Sequence, residues 1–81
     1  MKVLFFGRLA ERAGREVELD LPEEGCSVAE LRQRLCTALP EAAEELARPS
    51  NRACIDQVMA AESARVLPSH EVAFVPPLSG G

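Results

Sequence analysis

The sequence predicts an α+β domain in which one main helix lies on one face of a small mixed sheet. Three observations carry this. Two unbroken apolar runs, Val3-Leu4-Phe5-Phe6 and Val72-Ala73-Phe74-Val75, stand at opposite ends of the 81-residue chain. An alternating stretch, Glu16-Val17-Glu18-Leu19-Asp20-Leu21, comes after the first run. Between the ends lies a segment with helical spacing of apolar residues, Val28, Leu31, Leu35 and Leu39.

The two runs lack alternation, which suggests strands covered on both faces or placed in the middle of a sheet. Terminal strands of this kind can pair as central neighbours. A parallel pairing needs a long crossover, and the intervening chain is ample for one. After the first run, Arg8 to Ala13 can make one or two helical turns, stopped by Gly14 at C′. In the alternating stretch, Val17, Leu19 and Leu21 point inward and Glu16, Glu18 and Asp20 outward, as in a half-buried antiparallel strand. Pro22 and Gly25 end it.

Ser27-Val28-Ala29-Glu30 fits a capping box: Ser27 accepts from the N3 amide and Glu30 reaches back to the Ser27 amide. In the helix after it, Val28, Leu31, Leu35 and Leu39 share a face with Cys36 beside them, while Arg32, Gln33 and Arg34 are expected in water. Pro40 disfavours helical geometry at Leu39 and stops the helix there. It is also suited to open a second short helix, Glu41 to Ala47. Pro49-Ser50-Asn51 reads as loop. Arg52 to Ala60 reads as two very short strands around Asp56-Gln57, a pair without the glycine that a tight hairpin prefers. Residues 62–71 read mostly as loop, with Pro68-Ser69-His70 as a turn before the last strand. The β-grasp, or ubiquitin-like, arrangement has this element order, with the first and last strands parallel at the centre. Pattern alone leaves it as one candidate among several.

Composition narrows the function. A chain of this length makes one domain with a small core. Its net charge is −4, and its arginines are scattered among carboxylates, which argues against nucleic acid as a partner. No apolar run is long enough for a membrane span or a secretory core, so the expected compartment is the cytoplasm. The three cysteines, Cys26, Cys36 and Cys54, are widely spaced and include no Cys-x-x-Cys, so neither a disulfide framework nor a zinc site is expected. Cys26 precedes the main helix, whose positive end would lower its pKa somewhat. His70 reads as a surface turn residue, and Glu41, Glu44 and Glu45 as a solvated helix face rather than a metal site. With no nucleophile–base pair and no phosphate loop, the chain is not expected to be an enzyme alone.

The end of the chain, Val75-Pro76-Pro77-Leu78-Ser79-Gly80-Gly81, carries the functional reading. Prolines donate nothing to a sheet ladder and favour extended geometry, so they end the last strand's pairing and aim the remaining residues outward. The glycines are thin enough for a slot that closes on backbone. Six residues from Pro76 reach roughly 20 Å when extended. The division is therefore a folded domain over residues 1–76 and an extended tail over 77–81. A terminal carboxylate is an anion at neutral pH and a poor electrophile, and adenylation is the usual biochemical way to activate it.

The chain resembles the small subunit of molybdopterin synthase, the MoaD family. The resemblance runs its full length, through KVLFFGRLAERAG, SVAELRQRL, CIDQ and EVAFVPPLSGG. Phe74-Val75-Pro76-Pro77 before Gly80-Gly81 is the specific part. Sulfur carriers of the thiamine pathway also end in Gly-Gly but are usually shorter and lack Phe-x-Pro-Pro. The family commonly has a Gly-Asp turn before the final strand, where this chain has Ser69-His70. The resemblance implies a β-grasp sulfur carrier with no permanently bound cofactor and no metal. Gly81 would be adenylated by an E1-like, MoeB-type enzyme that consumes ATP. A sulfur donor protein would convert it to a thiocarboxylate. The charged tail would insert into a MoaE-like large subunit and give its sulfur to cyclic pyranopterin monophosphate. Gly81 is then the sulfur-bearing residue, Gly80, Ser79 and Leu78 enter the partner, and Phe74 to Ser79, with Pro76 and Pro77, form the docking segment. Apolar side chains at Phe5, Met59, Phe74 and Leu78 suit partner docking and core packing equally, and the sequence does not divide them. A carrier for thiazole or thiolated-nucleoside synthesis, a ubiquitin-like modifier of lysines and an interaction domain with an inert tail remain alternatives.

Overall fold

The computed structural model describes residues 1–77. Its strands are β1 (Lys2–Phe5), β2 (Glu16–Glu18), β3 (Cys26–Ser27), β4 (Arg52–Ile55), β5 (Val58–Ala60), β6 (Arg65–Val66) and β7 (Val72–Val75). Its helices are α1 (Arg8–Ala13), α2 (Val28–Ala38) and α3 (Ala43–Leu46), the last entered through a 3₁₀ turn, Pro40–Ala42. Five strands form a mixed sheet in the order β2-β1-β7-β4-β5. β1 and β7 pair in parallel at its centre, with Val3 opposite Val72 and Phe5 opposite Phe74. This is the β-grasp architecture.

The period of two along each strand decides which residues enter the core. Val3 and Phe5 on β1, Val72 and Phe74 on β7, and Ala53 on β4 are buried with Leu9 of α1, Val28, Leu31 and Leu35 of α2, and Leu46 of α3. Of the two readings of the apolar runs, the central position in the sheet holds and full cover on both faces does not: Leu4, Ala73 and Val75 on the alternate positions are only half-buried. The second strand is also shorter than its alternation suggests, because pairing with the four-residue β1 leaves partners only for Glu16, Val17 and Glu18. Leu19 still donates its amide to the Met1 carbonyl just past the ladder.

Two features go beyond the sequence expectations. Cys26–Ser27 and Arg65–Val66 form a separate antiparallel pair, too short to leave a periodic signal. Gly25, at φ +76°, turns the chain into that pair; a Cβ there would collide with the Val66 carbonyl oxygen. Asp56 and Gln57 both adopt positive φ, the mark of a type I′ hairpin, although neither is glycine. The Asp56 amide donates to the Glu71 carbonyl, and its Oδ1 accepts from the Glu71 amide at 2.9 Å, which ties the turn to the start of β7.

Candidate functional site: the root of the tail

Leu78, Ser79, Gly80 and Gly81, the residues expected to enter a partner, lie outside the described residues. The structure instead defines the platform from which they leave. β7 is held on both sides, by β1 in parallel and by β4 antiparallel, so its carboxyl end is fixed by two neighbours. Past the ladder, the Phe6 amide donates to the Phe74 carbonyl. Pro76 then packs on Gly7, which with Phe6 links β1 to α1. Gly7 has φ +66°, and a Cβ added there would come within 2.9 Å of Pro76 Cγ. Proline and glycine therefore complement one another: the ring has no amide to leave unpaired, and the bare backbone leaves room for the ring. Pro77, the last described residue, is exposed.

Phe5 and Phe74, expected to dock a partner, are core residues with 2% and 0% exposure. They point to the helix side of the two central strands, where their rings stack at a centroid distance of 6.3 Å. Their part in the site is to fix β7 against β1 rather than to meet a partner. The alternate positions face the other way. Leu4, Ala73, Cys54 and Met59 are successive cross-strand neighbours and so form a row on the opposite face. Met59 on this row is 53% exposed, and Phe6, just past β1, 49%. The period of two inside Val3-Leu4-Phe5-Phe6 is the signal that separates Phe5 from Phe6.

Arg32 departs furthest from expectation. The helical period assigns it to water, yet it is buried. Its guanidinium donates to the Leu46, Arg48 and Asn51 carbonyls and bidentately to the Glu62 carboxylate. It also lies over the Phe74 ring, 5.1 Å from the centroid. The fork of five donors caps the carbonyl ends of α3 and the loop after it, which explains why a charge is tolerated there.

The remaining polar candidates do not form a catalytic cluster. Burial pushes the Cys26 thiol above its usual range, and Glu30 adds to this, opposite to the lowering expected from the helix end. Ser27 accepts from the Glu30 amide at 3.0 Å, but the Glu30 carboxylate turns to Arg34 rather than back to the Ser27 amide. His70 Nδ1 accepts from the Leu67 amide within its own turn. No group of three His, Cys, Asp or Glu able to hold a metal occurs among the described residues. No helix among them is long and apolar enough to cross a membrane.

Comparison with known proteins fits this geometry. The sequence model described as the ThiS family matches residues 3–81. No curated protein matches the chain significantly. SAMP1 from Haloferax volcanii superposes with a TM-score of 0.82 at 25% identity, covering 99% of this chain and 97% of the other. A second structure of that organism's small archaeal modifier protein 1 gives 0.79 at 25% identity, covering 95% of each chain. A protein described as a putative molybdopterin converting factor, subunit 1, from Pyrococcus furiosus gives 0.72 at 20% identity, again covering 95% of each. At that identity the likeness shows the fold.

Proposed function

The chain belongs to the ThiS family of ubiquitin-like sulfur carriers, and on that premise we propose that it carries sulfur on Gly81 for the assembly of molybdopterin. A carboxylate oxygen of Gly81 attacks the α-phosphorus of ATP in an E1-like adenylating enzyme and expels pyrophosphate. The persulfide of a donor protein displaces AMP from the resulting acyl-adenylate and forms an acyl disulfide; a second thiol of the donor system then attacks the donor's sulfur, which leaves the thiocarboxylate on Gly81 and a disulfide on the donor. The tail, Leu78 to Gly81, then enters a large synthase subunit, which supplies the acid–base groups while the sulfur passes to cyclic pyranopterin monophosphate. This chain's own work is delivery: it presents a narrow carboxylate and takes no part in proton transfer.

The observation that best supports this reading is the root of the tail. A central strand clamped by two neighbours, with Pro76 seated on Gly7, is a rigid base for a thin segment that has to find a slot. The choice of molybdopterin over other acceptors rests on Phe74-Val75-Pro76-Pro77 and Gly80-Gly81. The likeness to SAMP1 at 25% identity favours one second reading, a modifier joined through Gly81 to lysines of other proteins.

Intact-mass analysis decides between them. After incubation with the adenylating enzyme, ATP and a sulfur donor, the carrier reading expects a mass gain equal to sulfur minus oxygen, located on the C-terminal peptide. Lysine adducts in cell extract without that gain favour the modifier. Adding a MoaE-like subunit and the pterin precursor should return the mass to its starting value; a thiocarboxylate that persists under those conditions counts against molybdopterin as the destination.

A further inference from the structure

We infer that a collar of arginines around the root of the tail docks on a carboxylate-lined rim at the entrance of the activating enzyme's slot; this rests on the carrier reading proposed for Gly81.

The chain has a net charge of −4, so basic surface is not its general character. Lys2, Arg32, Arg34 and Arg48 each form an ion pair with a nearby glutamate, and Arg65 donates to the Glu24 carbonyl. Arg8, Arg12, Arg15 and Arg52 are exposed and form no ion pair among the described residues. They are distant in sequence, yet the topology brings them to one end of the sheet. Arg8 comes directly after Gly7, on which Pro76 packs. The Arg15 carbonyl accepts from the amide of Phe5, the last residue of β1. Arg52 is the cross-strand partner of Val75, the last residue of β7. Arg12 lies one helical turn beyond Arg8 on α1. Glu11 is the carboxylate among residues 7–15. Arg15 also walls a groove of about 450 Å³ that passes Phe6 and Gly7.

A cluster of like charges without partners repels itself and is favourable only when an opposite charge approaches. Its place around the tail defines which surface approaches. Any protein that takes in Leu78 to Gly81 must bring the mouth of its slot against Arg8, Arg15 and Arg52. A rim of aspartates and glutamates there would steer the tail inward and release it again once salt or product weakens the contact. Basic surface elsewhere on the domain would not select for orientation in this way.

The test uses the full chain with the adenylating enzyme of the same genome, measured by ATP–pyrophosphate exchange. The variant R8E/R15E/R52E changes three exposed side chains, and the control K2E/R34E/R65E changes the net charge equally at positions that the sheet topology places away from the end of β7. In the variant, the carrier concentration for half-maximal exchange should rise roughly tenfold, with the maximal rate unchanged and the dependence on salt flattened. The control should stay close to the parent protein. Equal behaviour of variant and control overturns the collar while leaving the carrier function intact. Failure of the parent protein to support exchange overturns the carrier function and the collar with it. Circular dichroism melts of both variants confirm that folding is kept. A gel shift of single-stranded RNA by the parent, lost in the variant, assigns the collar to nucleic acid and likewise overturns the proposal.

Discussion

At the scale of single residues, Arg32 and Cys26 show burial deciding chemistry against local sequence cues. Arg32 stands at a position that the helical period assigns to water, between Leu31 and Gln33. The carbonyls of Leu46, Arg48 and Asn51, at the end of the short α3 and in the loop after it, draw it inward, and the Phe74 ring receives its flat face. Replacing Arg32 by Met keeps the apolar stem but strands the buried carbonyls of Leu46 and Asn51, so a loss of about 3 kcal/mol is expected in urea unfolding. Arg32→Lys should recover little, because an ammonium cannot span the same fork. Glu62→Gln should cost under about 1 kcal/mol, since Glu62 is half-exposed; a larger loss than for Arg32→Met would contradict this division of roles. Cys26 behaves in the opposite sense to its sequence position. Burial, with Glu30 second, raises its pKa above the ordinary value of 9.0. A group whose folded pKa is raised contributes stability in full below its unfolded pKa and loses it as pH rises through the folded one. Stability should therefore fall above about pH 9 in the parent and fall less steeply in Cys26→Ala. A disulfide reagent at pH 8 should label Cys54 in the native protein well before Cys26; equal rates would mean that Cys26 is not enclosed.

At the scale of elements, the strong periodic segments were legible and the two-residue ones were not. The apolar runs, the Ser27 cap, the stop at Pro40 and the Gly14 end of α1 all derive from side-chain period or backbone restriction within a few residues. The β3–β6 pair does not, because two residues on each side carry no period, and only the position of Gly25 hints at it. The hairpin over residues 52–60 was legible as strands but lacked its usual turn residue. Asp56 fills the place because its carboxylate and amide both reach Glu71. Each of these turns yields a prediction. Gly25→Ala puts a Cβ against the Val66 carbonyl at a positive φ, so a loss of about 2 kcal/mol or more is expected, seen as a lower urea midpoint. Gln57→Gly relieves a residue at φ 70° and should raise stability by about 0.5 kcal/mol, less than the full αL penalty because glycine is also freer when unfolded. Destabilisation by Gln57→Gly would mean that the turn is held by the glutamine side chain instead.

At the scale of the whole molecule, the fold separates rigidity from reach. Among the described residues the core runs from Val3 to Phe74, and the centre of the sheet carries the strand that leads into the tail. The proposed chemistry of the tail rests on its sequence alone, on two prolines and two glycines. Its docking residues were not legible there, because a residue on a central strand and a residue on a contact surface are equally apolar, and only the two faces of the sheet tell Phe5 from Phe6. Core and tail should therefore respond independently to change. Deleting Gly81 should abolish thiocarboxylate formation while leaving the melting temperature within about 2 °C of the parent, since no core side chain is removed. Gly7→Ala tests the joint between them. A Cβ at positive φ and 2.9 Å from Pro76 Cγ forces the ring off its seat, at a cost of about 1–2 kcal/mol. It should also slow adenylation at subsaturating carrier, because the tail then leaves from an unseated proline. Full stability together with slowed adenylation would place the role of Gly7 in aiming the tail alone; lost stability with unchanged adenylation would show that the seat of Pro76 serves the fold and not delivery.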